Sequence, residues 1–190
     1  NPWNSSLPDL DHPDFLVLDL DPSKKNTFDD VIETALQVND VLNSIKIKGY
    51  CKTSGSTGIH VYIPMGGKYD FDQVKDFAHI LMKQVHEKLP KITTLERRLQ
   101  KRDNNKIYLD YLQNRTGQTL ASAYSLRPKE GASVSMPLEW NEVKAGMKPT
   151  DFNIHNALER IKDKGDLFKP VLGKGIDMMK ALELLQDIKH

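Results

Sequence analysis

A chain of 190 residues, 38% hydrophobic and 28% charged, can bury one substantial core, and none of its apolar runs reaches membrane-span length. Its formal net charge of +1 excludes a global electrostatic case for nucleic-acid binding, so any such case rests on local patches. A single cysteine, Cys51, excludes an intramolecular disulfide and a cysteine-cluster zinc site; with no secretory pattern at Asn1, a reducing, cytoplasmic setting is expected.

Residues 1–14, NPWNSSLPDLDHPD, hold three prolines and no periodicity, and read as an irregular lead-in. A strand, FLVLDLD, begins at Phe15. The spacing then predicts a helix over 27–45, opened by a Thr27/Asp30 capping pair, with Val31, Ile32, Ala35, Val38 and Leu42 on one face. A short strand at 50–52, the loop TSGSTG and a strand IHVYIPM follow. Asp70 and Gln73 open a second helix, whose stripe includes Phe71, Val74, Phe77, Leu81 and Val85 and which Pro90 ends. A fourth strand is expected over 106–112, KIYLDYL. The order is βαββαβ, an α+β fold with a ferredoxin-like or RRM-like core over 15–112, both helices on one face of an antiparallel sheet. In the C-terminal extension, 113–190, TLASAYSLR reads as a strand and PLEWNEVKAG as a short helical turn. Residues 151–164 read as a helix stopped by Gly165, and 177–188 as a last one.

Side chains two apart on a strand share a face, so Asp19 and Asp21 project together, away from Leu18 and Leu20. Two adjacent carboxylates repel, and a hard divalent cation resolves the conflict. Asp110, in IYLDYL, is a third candidate. In a ferredoxin-like sheet the first strand lies between the third and fourth, which permits Asp110 to meet the pair. The same D-x-D-P pattern also fits a turn in which one aspartate caps the following helix.

The segment Lys52-Thr53-Ser54-Gly55-Ser56-Thr57-Gly58-Ile59-His60 carries glycines and hydroxyls suited to close approach by phosphate or ribose. It lacks P-loop spacing, and taken alone it reads as a polar hairpin turn, with His60 as a structural histidine. Arg97, Arg98, Lys101, Arg102 and Lys106 cluster before Asp110. A solvated helix face accounts for such a run, and contact with a phosphate backbone is the alternative. Trp3 and Trp140 read as packing residues, and Cys51 as a buried strand residue.

In order, LDLDP, KTSGSTGIHVYIP, IYLDYLQN, YSLRP and PLEW resemble the polymerase domain of bacterial DNA ligase D. That domain belongs to the archaeo-eukaryotic primase superfamily and serves in end joining. The resemblance runs from Pro2-Trp3-Asn4-Ser5 to the C-terminal region, and implies that residues 15–190 form a primase-polymerase catalytic domain. Asp19, Asp21 and Asp110 would bind two divalent cations, Mn²⁺ or Mg²⁺. Ser54 would meet the ribose 2′-hydroxyl and His60 the triphosphate, with Lys52, Gly55, Ser56 and Thr57 completing the loop's nucleotide contacts. Gln113 and Arg127 fall at nucleotide and triphosphate positions. Thr57 stands where many relatives carry lysine.

The implied activity is template-dependent addition of NTPs or dNTPs, ribonucleotides preferred, to DNA ends in non-homologous end joining. Implied partners are primer-template DNA, ligase and nuclease domains of the same system, and Ku; the implied setting is the bacterial cytoplasm, at the nucleoid when engaged. Relatives carry an N-terminal module ahead of PWNS that holds much of the primer-template surface. A nucleotide- and metal-binding core without turnover is therefore an alternative reading. An RRM-like binding module is disfavoured, because IHVYIPM offers only Tyr62 for base stacking and the carboxylates would repel RNA. A haloacid-dehalogenase-type phosphohydrolase would need D-x-D-G-[TV], and Pro22-Ser23 follow here.

Overall fold

Strand β1 (Phe15–Asp21) turns Leu16, Leu18 and Leu20 to one face of a sheet and Phe15, Val17, Asp19 and Asp21 to the other. The computed structural model of the chain describes residues 1–187. Its strands are β1, β2 (Tyr50–Thr53), β3 (Ile59–Pro64), β4 (Thr93–Thr94), β5 (Ile107–Asp110) and β6 (Pro137–Leu138). They form one sheet in the order β4-β5-β1-β3-β2-β6, antiparallel except for the β4–β5 pair. The first strand thus lies between β3 and β5, as a ferredoxin-like core requires.

Helices α1 (Phe28–Ser44) and α2 (Phe71–Lys88) pack on the leucine face of β1. Thr27 and Asp30 exchange capping bonds of 3.2 and 2.8 Å at α1, and Asp70 and Gln73 exchange bonds of 2.8 and 3.1 Å at α2. Leu18 and Leu20 are wholly buried between sheet and helices, and truncating either to alanine is expected to cost about 2–5 kcal/mol. No helix among the described residues is long and apolar enough to cross a membrane.

The C-terminal half departs from the expectations. TLASAYSLR is not a strand: Tyr124 takes φ +64°, which breaks an extended run, and only an isolated bridge joins Leu126 to Val134. Pro137–Leu138 adds β6 to the edge of β2, and only Trp140–Glu142 makes a 3₁₀ turn. The helix expected over 151–164 shrinks to α3 (Ala157–Lys164), ended by Gly165 at φ +72°. Its first turn is lost because Phe152 C=O accepts from Val134 N–H and Ile154 N–H donates to Ala132, pairing this backbone with a neighbouring segment. Helix α4 covers Met178–Asp187, and the end expected at Ile188 lies outside the described residues. Residues 1–14 are irregular yet anchored: Asn4 is buried, its Nδ2 donates to Gln113 C=O at 3.1 Å, and its C=O accepts from Asp14 N–H at 2.8 Å.

Candidate active site

The ladders set four side chains in one line across the face that the helices leave open. Asp110 on β5 faces Asp19 on β1, Asp19 faces His60 on β3, and His60 faces Lys52 on β2. Asp21 follows on the same face of β1, opposite Tyr108. His60 Nε2 lies 3.4 Å from Asp19 Oδ1, and its Nδ1 lies 3.0 Å from Lys52 Nζ. Lys52 is wholly buried, and its ammonium donates to Ser135 Oγ at 2.6 Å. The row therefore runs from carboxylates at one end to a cation at the other.

Burial sets the protonation of this row. It pushes the Asp19 carboxyl up to about 8, with Asp110 and then Asp21 adding repulsion and Lys52 opposing. It pulls the Lys52 amine down to about 7, where Asp19 resists the fall and Arg127 adds to it. It holds His60 well below 6.5, helped by Lys52 and Arg127, so the imidazole is neutral. Asp21 is also raised by burial, against the pull of Arg102.

These donors suit a hard cation. Asp19 and Asp110 are direct partners on neighbouring strands, with Cα atoms at most about 5.5 Å apart in such a pair. A divalent ion between them would offset the burial and the repulsion that keep Asp19 protonated. Among the described residues no three His, Cys, Asp or Glu side chains are already gathered around one point. Each carboxylate has a protein partner instead. Asp21 Oδ2 lies 3.6 Å from Arg102, and Asp110 accepts Leu112 N–H at 2.8 Å and Gln113 Nε2 at 3.0 Å.

The glycine loop is a hairpin turn at the end of the row. Ser54 Oγ accepts N–H groups of Ser56 and Gly58 at 3.1 and 3.0 Å, and Ser54 N–H donates to Gly58 C=O at 2.9 Å. Gly55 has φ +69°, and a Cβ there would stand 2.5 Å from Arg127 Cγ and 2.9 Å from Ser135 N. Thr57 is exposed and borders a cleft with Pro22, Lys24, Thr27 and Thr150. Arg127 Nε is buried beside the loop with no hydrogen-bond partner among the described residues. An unsatisfied guanidinium donor next to a buried ammonium is an arrangement that an anion would complete.

The family of LigD primase-polymerase domains matches residues 1–168. The chain belongs to that family. The bifunctional non-homologous end joining protein LigD of Bacillus subtilis is 34% identical over 151 residues, 79% of this chain and 24% of the relative. The multifunctional LigD of Pseudomonas aeruginosa is 30% identical over 161 residues, 85% of this chain and 19% of the relative. The chain thus spans a quarter or less of either relative's length. A solved structure, the polymerase domain from Mycobacterium tuberculosis ligase D in complex with DNA, superposes with a TM-score of 0.77 at 25% identity, covering 87% of this chain and 57% of that one.

In this LigD primase-polymerase chain the basic run is not the helix face expected. Arg97, Arg98, Lys101 and Arg102 lie on an irregular loop between β4 and β5. Arg97, Arg98 and Lys101 are exposed, whereas Arg102 turns inward. Its guanidinium stacks 3.8 Å above the Tyr108 ring and donates to the C=O of Glu96 and Arg97 at 3.1 and 3.2 Å, beside Asp21. Lys106 is tied to Pro90 C=O at 2.9 Å.

Trp140 packs as expected, its Nε1 donating to Gly49 C=O at 2.9 Å, but Trp3 is 46% exposed. Trp3, Phe15, Tyr62, Tyr124 and Phe168 line a cavity of about 380 Å³ beyond the row. None of the three carboxylates borders it; Tyr62 is the shared wall, its ring centroid 5.6 Å from Lys52 Nζ.

Sequence reasoning passed over Ser133, Ser135 and Asn114. Ser133 Oγ donates to Gly55 C=O at 2.6 Å, and Ser135 Oγ donates to Thr53 C=O at 2.9 Å while accepting from Lys52. The alternation Ser133-Val134-Ser135 signals two hydroxyls on one face, and could have been read.

Proposed function

We propose that this chain catalyses template-dependent nucleotidyl transfer, adding NTPs to DNA ends in non-homologous end joining, with ribonucleotides preferred over deoxyribonucleotides. The observation that carries the reading is the cross-strand row Asp110–Asp19–His60–Lys52, graded from carboxylate to lysine on the sheet face that the helices do not cover. The names of the relatives supply the end-joining context, and the mycobacterial neighbour's complex supplies DNA as the polymer.

Asp19, Asp21 and Asp110 are the residues that would hold two divalent cations, Mn²⁺ or Mg²⁺. When bound, these would neutralise charge at the attacking and leaving oxygens of a phosphoryl transfer. The chain's own groups account for the rest. Lys52, Arg127 and neutral His60 receive the triphosphate, Gln113 contacts the nucleotide from the other end of the row beside Asp110, and buried donors fixed in advance stabilise the charge without reorganising. Both N–H contacts to Ser54 Oγ come from the loop, which leaves the hydroxyl proton to donate. Directed at a ribose 2′-oxygen, that donor loses its partner when the sugar is deoxyribose, which is the basis of the preference. Gly55 keeps Arg127 against the loop, Ser56 shapes the turn, and exposed Thr57 supplies a hydroxyl rather than a charge. Arg97, Arg98 and Lys101 meet the DNA backbone.

The test is extension of a recessed 3′ end on a DNA template with Mn²⁺ and NTPs, by the wild-type chain and by Asp110→Ala. Template-directed addition that Asp110→Ala abolishes supports the proposal. Binding of nucleotide without extension reassigns the chain as a nucleotide-holding core, and extension unaffected by Asp110→Ala overturns the site.

A further inference from the structure

We infer that Asn114 is a positioning residue, whose side-chain amide replaces a missing rung of the sheet and thereby fixes Asp110 opposite Asp19. The inference rests on Asp19, Asp21 and Asp110 being cation ligands, as proposed above.

In the β1–β5 ladder Asp21 pairs with Tyr108, Leu20 with Leu109 and Asp19 with Asp110. If β5 continued, Val17 would face Leu112. The strand stops at Asp110 instead, and Leu112–Asn114 wind into a single 3₁₀ turn. In an antiparallel ladder alternate residues send both polar groups to the same neighbour, so Val17 presents its N–H and C=O to the same edge as Asp19. Val17 is wholly buried, and an unpaired N–H and C=O there would each carry a desolvation penalty of about 1–3 kcal/mol.

Asn114 fills that rung. Its Oδ1 accepts Val17 N–H at 2.8 Å, and its Nδ2 donates to Val17 C=O at 2.7 Å, the two bonds a paired backbone residue would make. The second Nδ2 hydrogen goes to Tyr111 C=O at 2.9 Å, which pinches the turn shut. Asn114 itself is wholly buried. Only an amide of this length offers one acceptor and two donors in that plane. Aspartate would set a carboxylate against two carbonyls, and leucine would fill the space but satisfy nothing.

The turn that Asn114 lashes to β1 is also the turn that aims Asp110. Leu112 N–H holds one carboxylate oxygen and Gln113 Nε2 the other, while Asn4 grips Gln113 C=O from the far side. Asn114 thus touches neither substrate nor cation, and acts through Asp110. Without the amide the turn is free to slide along β1 and carry Asp110 out of register with Asp19. The leucine face of β1 and its helices stay packed meanwhile.

The experiment is titration of the whole chain with Mn²⁺ alone, free Mn²⁺ being read by electron paramagnetic resonance. It compares wild type, Asn114→Ala and Val38→Ala, the last a buried position on α1 chosen to match the loss of melting temperature. All are measured well below their melts. Asn114→Ala is expected to weaken Mn²⁺ binding by about 10–100-fold, the usual effect of removing a group that orients a metal ligand. Val38→Ala should bind as wild type does. Equal affinity in Asn114→Ala and wild type overturns the inference while leaving the ligand assignment standing, and so does equal weakening in both variants. A wild-type chain that binds no Mn²⁺ overturns the ligand assignment, and the inference falls with it. Hydrogen exchange on the wild type requires no variant to fold: the Val17 amide should exchange no faster than that of Leu18, and rapid exchange at Val17 alone would refute the rung.

Discussion

Asn in place of Asp19 should make the metal-free chain more stable at alkaline pH while removing its proposed function. Asp19 is flanked by Asp110 and Asp21, and burial pushes its carboxyl from 3.8 to about 8. A folded-state value above the unfolded one means that the native chain holds a proton the unfolded chain releases. The associated stability is complete below the unfolded value and is lost as pH rises through about 8. A rise of about four pH units, at about 1.4 kcal/mol each, sets an upper bound of about 6 kcal/mol. The side chain keeps 14% of its surface exposed, and an effective dielectric constant of about 20 suits such sites, so about 2 kcal/mol is expected. In EDTA at pH 3, below the unfolded value of 3.8, wild type and Asp19→Asn should melt together, since both side chains are then largely neutral in the folded and the unfolded chain. At pH 8.5 the variant should melt about 4–8 °C higher, given about 2–4 °C per kcal/mol at this size. A gap that does not widen with pH, or a variant less stable at pH 8.5, would refute the argument.

Gly55→Ala forces a Cβ into Arg127 and Ser135 at positive φ, so a loss of about 1–3 kcal/mol in a urea melt is expected, together with weaker ATP binding. Ser54→Ala strips the acceptor from two loop N–H groups, and should cost about 1–2 kcal/mol. It should also bring ATP and dATP affinities together in competition binding, and an unchanged ratio would remove Ser54 from sugar selection. Replacing exposed Arg97, Arg98 and Lys101 together by alanine should reduce the log–log salt slope of duplex binding by about 2–3. An unchanged slope would move the phosphate track elsewhere on the chain.

Local signals accounted for the first half of the fold. The alternation in FLVLDLD placed Asp19 and Asp21 on the face away from the leucines, and both capping boxes opened helices where expected. Register was not legible, because alternation says which face a residue takes and not which rung it occupies. That Asp110 faces Asp19, and His60 faces Lys52, depends on strand pairing across the whole core. Asn114 carried no signal in the sequence, for its partner Val17 is 97 positions away. Two-residue strands such as β4 and β6 are too short to show any period. The basic run defeated the pattern for another reason. Charge counting does not distinguish exposed Arg97 from Arg102, which the Tyr108 ring and Asp21 draw inward.

The most direct test of the central claim is calorimetric titration of the chain with ATP and with dATP in Mn²⁺, beside the Asp19→Ala, Asp21→Ala double variant. The account predicts Mn²⁺-dependent ATP binding, weaker binding of dATP, and loss of both in the double variant. ATP binding that persists without Mn²⁺ or in the double variant would contradict it, and would separate the nucleotide from the carboxylate row.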